Sequence, residues 1–174
     1  MGRGIKHERT TSLQSKELLK MNLKMGTGNV LRLLEDMKDA PLTFPTPAGG
    51  CHPLWIAGHL TYADAQFVHE WVLGEPNPLA DWKDIFAGGT EAVADADVYP
   101  SFETVLEKSR ETREKALEVL DSLSEEDHLD TPSKNVPEPM QKYFGTYGQV
   151  FSMMANPWWM HRGNVADSRR AARG

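Results

Sequence analysis

The sequence contains a single cysteine, Cys51, and no long apolar run. One cysteine permits neither an intrachain disulfide nor a zinc cluster built on cysteines, and it suits a reducing compartment. The first twenty residues lack the apolar core of a signal peptide. No stretch approaches the roughly eighteen apolar residues that a membrane span requires. These absences predict a cytoplasmic protein that does not associate with a membrane.

An excess of basic residues is also missing. The 174 residues carry a formal net charge of −6, with 25% charged and 40% hydrophobic residues. This profile is typical of a globular domain that can bury a core. The acidic balance argues against a nucleic-acid partner, which usually requires a basic surface. Arginines near the end of the chain are best explained as cations that complement the dipole of a final helix.

Apolar residues recur at steps of three and four in four segments, and no segment alternates convincingly with period two. The predicted helices cover about residues 11–40, 53–73, 102–123 and 145 onward. Pro53 at a helix start and Gly74 after a helix end both match the backbone preferences of these residues. The connections between the second and third helices, and between the third and fourth, are long. We therefore predict an all-α four-helix bundle over residues 11–174, preceded by a mobile arm at residues 1–10.

Two further features concern helix packing. Gly26 and Gly28 lie inside the first predicted helix, where each costs about 1 kcal/mol relative to alanine. Either the helix bends there or small residues permit the close approach of a neighbour, and we favour the second interpretation. Trp158 and Trp159 are adjacent on a helix, so one of them should face outward or towards a partner. This favours a homodimer.

Two histidines lie on apolar helix faces, where an imidazole should point towards the core. His59 has Ile56 three residues before it and Ala63 four residues after it, and His161 follows Trp158 by three residues. On this pattern alone we favour two core histidines that bond to each other, to a tyrosine or to buried water over a functional site. Cys51 next to His52 suggests a thiolate pair, but adjacent residues seldom face each other, so we assign it no catalytic role.

Pro157 complicates the last helix. Inside a helix, a proline loses a backbone hydrogen bond and clashes with the preceding turn, at a cost of about 3 kcal/mol or more. Asn156 followed by Pro157 also resembles a helix cap followed by a first helical position. We therefore predict a kink or break near Ala155 and a new helical segment from Pro157, with His161 still on the apolar face.

Two segments resemble the motifs of a known family. HPLWIAGHLTYADAQF, residues 52–67, resembles the second-helix motif of the DinB-like (damage-inducible) superfamily of four-helix bundles. MHRGNVADSRR, residues 160–170, resembles its last-helix motif. The resemblance covers about residues 13–172. Members commonly hold zinc or nickel with three histidines, one from the second helix and two from the last, and some are thiol S-transferases.

The resemblance implies that His59 and His161 are metal ligands, but it places the middle ligand at Pro157, which has no donor atom. A third donor could come from Asn156, whose carbonyl oxygen is a poor ligand for zinc, or from a second subunit that shares the ion. A kink at the proline could also bring His52 or His69 closer, but helix geometry keeps both away from His59. We therefore favour a non-catalytic protein with a pocket at His59 and His161 for a small molecule or an interaction. The alternative is a divalent-metal-dependent thiol S-transferase, whose substrate would enter by the loop around Trp82.

Overall fold

The computed structural model describes residues 15–123 and 126–174. Within these ranges the fold is all-α, as predicted, and no β-strand is present. The α-helices are α1 (Ser15–Glu35), α2 (Pro53–Ala65), α3 (Lys83–Phe86), α4 (Phe102–Ser122), α5 (Gln141–Phe144) and α6 (Tyr147–Arg173). The described residues thus form six α-helices rather than the four predicted, because the connections contain α3 and α5, each of four residues. The predicted arm at residues 1–10 and the start of the first helix lie outside the described ranges.

The second helix begins and ends where the sequence predicts. The side chain of His52 caps its start by accepting a hydrogen bond from the backbone N–H of Trp55, and Pro53 occupies the first turn. Residues Gln66–Leu73 continue α2 as a π-helix. Gly74 then ends the helix in the left-handed conformation, with φ of 76°, which glycine adopts without strain.

The start of α6 is fixed by a capping box. Thr146 accepts from the backbone of Gln149, and the Gln149 side chain accepts in turn from the backbone of Thr146. This reciprocal pair satisfies two N–H groups that a helix start otherwise leaves without partners. The capping box therefore fixes where α6 begins, upstream of His161.

No break occurs at Pro157. Helix α6 is one continuous helix from Tyr147 to Arg173 with Pro157 inside it, so the predicted new segment starting at Pro157 is wrong. Met154, Ala155 and Trp158, which flank the proline, are fully buried. Burying a large apolar side chain contributes about 1.5–3 kcal/mol. Packing on both sides of Pro157 therefore offsets the cost of about 3 kcal/mol that the proline imposes on the helix.

Helix α1 packs mainly on α6 and α2 packs mainly on α4, whereas α1 touches α4 only sparsely. Gly26 lies at the close contact of α1 with α6, because a Cβ atom there would lie 3.2 Å from Nε1 of Trp159. A Cβ atom at Gly28 would meet nothing within 4 Å. The predicted close approach is therefore confirmed at Gly26 and not at Gly28. None of the described helices combines the length and the apolar character needed to cross a bilayer.

These two glycines give a matched test of the packing. Gly28→Ala should raise the free energy of unfolding by about 0.5–1 kcal/mol, because it removes the helix penalty of glycine without meeting a neighbour. Gly26→Ala should gain clearly less, because its methyl group would crowd Trp159. Urea denaturation measures both values. Equal gains in the two variants would contradict the close contact at Gly26.

Candidate histidine site

Helices α2 and α6 bring His59 and His161 together. Their ring centroids lie 5.7 Å apart, and the ring planes meet at 72° in an edge-to-face arrangement. Both side chains are partly exposed. The two imidazoles therefore share one site that molecules from solvent can reach.

The orientation of His59 is fixed by two contacts. Its Nδ1 lies 2.8 Å from the backbone carbonyl oxygen of Phe86. A carbonyl can only accept, so Nδ1 carries the hydrogen, and Nε2 of the neutral ring keeps its lone pair. Trp55 stacks on the imidazole, with centroids 4.7 Å apart and planes within 10°. The site therefore offers Nε2 of His59 as an acceptor in one defined orientation.

Gly58 permits this arrangement. A Cβ atom at Gly58 would lie 2.2 Å from a ring carbon of Phe86, so no larger residue fits there unless Phe86 moves. Phe86 is fully buried, and its ring also contacts Trp82 and Tyr99, with centroids 5.2 and 5.5 Å away. The connection around Trp82 therefore packs against α2, and this packing places the Phe86 carbonyl beside His59. No sequence pattern indicated the contact of Phe86 with His59, because Phe86 makes it through its backbone oxygen.

Both histidines favour the neutral form. Burial lowers the pKa of His59, against an opposing effect of the hydrogen bond to Phe86. Burial also lowers the pKa of His161, and a charge on His59 would lower it further. Neutral imidazole is the form that accepts a hydrogen bond or binds a metal ion. Near neutral pH, His59 and His161 are therefore in the form that can accept a hydrogen bond or bind a metal ion.

The donor set does not fit a resident zinc or nickel ion. Pro157 supplies no donor, and the exposed Asn156 side chain donates its amide to Sδ of Met153, 3.3 Å away. Among the side chains that the structure describes, no group of three from His, Cys, Asp and Glu is placed to hold a metal ion. Catalytic zinc usually has three protein ligands. His59 and His161 are one ligand short of that number.

His52 and Cys51 have other roles. His52 is fully buried, and its Nδ1 accepts from the Trp55 N–H at 3.1 Å. Its Nε2 lies 2.9 Å from the carbonyl of Val93 and donates to it. Burial lowers the pKa of His52 and raises the pKa of the Cys51 thiol. His52 therefore caps α2 and ties down the following connection, while Cys51 is held as a thiol rather than a thiolate.

A buried polar network lies one helical turn from the pair. Oδ2 of Asp64 accepts from Nη2 of Arg113 at 2.5 Å and from Nε1 of Trp158 at 2.9 Å. Arg113 also lies 5.5 Å from the centre of the Trp158 ring. Burial raises the pKa of Asp64 to about 6, although Arg113 and Trp158 oppose this. The network joins α2, α4 and α6, and it fixes Trp158, which precedes His161 by three residues. The sequence pattern did not indicate it, because the three residues are far apart in the chain.

Comparison with known proteins identified a family. The sequence model of the DinB superfamily matches residues 22–165, a range that includes Gly58, His59, Pro157 and His161. No curated protein and no solved structure matches the chain significantly.

The contact of Gly58 with Phe86 is directly testable. Gly58→Ala should lower the free energy of unfolding by about 1–3 kcal/mol, because the added methyl group overpacks the site. It should also displace the Phe86 carbonyl and change the NMR signals of the His59 ring. Gly28→Ala is the matched control, since it adds the same group where nothing lies within 4 Å. A Gly58→Ala variant with unchanged stability and an unchanged His59 signal would contradict the contact.

Stability should fall as the pH drops below about 6.5, the ordinary pKa of histidine. The pKa values of His52, His59 and His161 are lowered in the folded protein, so the unfolded chain takes up these protons first. Asp64 has the opposite effect on stability. Its pKa is raised to about 6 in the folded protein, so below that pH the folded state takes up this proton first. Between pH 6.5 and about 6, where the histidines titrate in the unfolded chain before Asp64 does in the folded one, the unfolded state therefore binds more protons than the folded state, which lowers the free energy of unfolding.

Urea denaturation at several pH values measures this slope. His52→Asn is the control, because asparagine caps a helix without titrating. Its slope should be shallower than that of the unmodified protein. An equally steep slope would show that His52 does not contribute.

Proposed function

The chain belongs to the DinB superfamily, and on that premise we propose that it is a non-catalytic member that binds a small molecule at His59 and His161. The observation that carries the proposal is the hydrogen bond from Nδ1 of His59 to the Phe86 carbonyl. This bond leaves Nε2 of His59 unprotonated, next to a second imidazole whose centroid is 5.7 Å away. A ligand can therefore bind without any prior change in protonation.

The surroundings indicate the chemistry of the ligand. Nε2 of His59 accepts an N–H, O–H or S–H group. Trp55, stacked on His59, and the buried ring of Phe86 make the site largely apolar. Small ligands commonly bind where an apolar wall surrounds a few polar groups that fix orientation. A low-molecular-weight thiol is the candidate that the family resemblance suggests.

The alternative is a thiol S-transferase that depends on zinc or nickel. In such an enzyme the bound ion lowers the pKa of the thiol, so that it reacts as a thiolate. The bond from His59 to a backbone carbonyl favours this alternative, because metal-binding histidines commonly have such a partner on their other nitrogen. The donor set opposes it, because Pro157 occupies the position of the third ligand. We therefore favour binding over catalysis.

A single substitution separates these two functions. Position 157 precedes His161 by one turn of an unbroken helix, so a side chain there stacks on the same face. Pro157→His should bind zinc or nickel about tenfold or more tightly than the unmodified protein, a difference of about 1.4 kcal/mol or more. Metal analysis of tag-free protein after loading and dialysis measures the retained ion. Pro157→Ala is the matched control, because it removes the proline without adding a donor.

The same experiment can reject the proposal. An unmodified protein that keeps about one zinc or nickel ion per chain, and loses it in His161→Ala, would support the S-transferase. Binding is tested separately by titrating cysteine, with serine as the matched compound that lacks the thiol. Saturable shifts of the His59 and His161 ring signals with cysteine alone would identify a thiol site. No shift with either compound would remove thiols from the proposal.

An exposed apolar surface supports the homodimer that we also propose. On α1, Leu18, Met21 and Met25 are 52%, 46% and 50% exposed and recur at steps of three and four. On α6, Trp159 is 38% exposed whereas Trp158 is fully buried, so the adjacent pair divides as predicted. Nε1 of Trp159 donates to Asn22 of α1, which places this tryptophan beside the apolar face of α1. A second copy would remove this surface from water.

Charges on this surface should disrupt the dimer. The double variant Met21→Lys and Met25→Lys should weaken self-association about tenfold or more, because burying each unpaired ammonium is costly. Light scattering across a range of concentrations measures the mass. Val98→Lys, at a residue 43% exposed in the connection before α4, is the control. An unmodified protein that stays monomeric throughout would contradict the dimer.

A further inference from the structure

A second candidate site lies between α1 and α4, the helices that touch only sparsely. The groove there has a volume of about 210 Å³. Because a water molecule occupies about 30 Å³ in the liquid, the groove has room for more than a single water. Its walls come from α1 and α4 alone, so it is separate from the site of His59 and His161 between α2 and α6.

Two residues of the groove carry buried polar atoms without a partner. The Arg113 side chain is 7% exposed, and its Nη2 bonds to Asp64. Among the described residues, its Nε and Nη1 have no hydrogen-bond partner, and neither has Oγ1 of Thr27, a residue that is 2% exposed. A buried polar group without a partner costs about 1–3 kcal/mol. A ligand that brings acceptor atoms to Thr27 and Arg113 would remove part of that cost.

The groove is lined by three cations, two of which have a carboxylate partner. Its walls include the cations Lys24, Arg110 and Arg113, against one acid, Glu114. Arg110 is paired with Glu35 on the exposed side of the helices. Asp64 shares one carboxylate oxygen between Arg113 and Trp158. Glu35 and Asp64 thus each offset one of these cations, so an anion would be held by hydrogen bonds from the guanidinium group of Arg113 rather than by an excess of positive charge.

We propose that the groove binds a small oxyanion, a carboxylate or a phosphate, on the unpaired donors of Arg113 and Thr27. Guanidinium groups are well suited to both kinds of anion, since charge-assisted hydrogen bonds are stronger than neutral ones. Gly28 keeps the entrance open, because nothing lies within 4 Å of the position that its Cβ atom would take. The unpaired donors have almost no accessible surface, so the side chains of Arg113 and Thr27 must turn towards the groove when the oxyanion binds.

The test uses ¹⁵N-labelled protein and the NMR signal of the Arg113 Nε–H group. Sodium acetate and sodium phosphate are titrated separately against sodium chloride at constant ionic strength. The signal should shift saturably with acetate, phosphate or both, and the two titrations show which oxyanion chemistry is preferred. Gly28→Leu should weaken the binding about tenfold or more, because its side chain fills the groove. Gly28→Ala should leave the affinity within about twofold.

The indole N–H signal of Trp158 reports whether each variant keeps the core network. If Gly28→Leu loses that signal, Thr27→Val replaces it as the test, since valine has the shape of threonine without the hydroxyl. Thr27→Val should weaken binding about threefold or more, in line with the loss of one hydrogen bond. Shifts that are linear in salt, that chloride reproduces, or that persist unchanged in a folded blocking variant would overturn the proposal.

Discussion

The hydrogen bond from Nδ1 of His59 to the Phe86 carbonyl determines what the site can do. It fixes the tautomer of His59, and through the tautomer it determines that Nε2 is the atom a ligand meets. The bond depends on Gly58, because any side chain there would push Phe86 away. Phe86 lies in the connection between α2 and α4. The hydrogen bond from His52 to the Val93 carbonyl attaches this connection to the start of α2. The orientation of the His59 imidazole therefore depends both on the adjacent Gly58 and on His52, which caps α2.

The second imidazole depends on the last helix remaining unbroken. His161 follows Trp158 by three residues, and Trp158 is fixed by Asp64 and by the stacked Arg113. Buried ion pairs add little net stability, but they define how elements align. The network therefore sets the rotation of α6 against α2 while Pro157 remains inside the helix. Arg113 also lines the proposed oxyanion groove, so the core network and the groove share one side chain.

Local patterns predicted the helices well and the site only in part. Apolar periodicity placed His59 and His161 on inward faces, and Pro53 and Gly74 marked the ends of the second helix, because these signals act over a few residues. The predicted break near Ala155, with a new segment from Pro157, was wrong because tertiary packing outweighed a local preference. The Phe86 carbonyl and the Asp64–Arg113 pair were missed because each depends on segments distant in sequence. The metal-binding role of His59 and His161 stays a prediction.

The tautomer of His59 tests this description of the site most directly. Long-range ¹H–¹⁵N correlation spectra at neutral pH should show a protonated Nδ1 and an unprotonated Nε2 on His59. Ring protons of His59 and His161 should give a nuclear Overhauser effect, since the centroids are 5.7 Å apart. A hydrogen on Nε2 of His59, or two rings without any mutual effect, would contradict the arrangement on which the proposed binding depends.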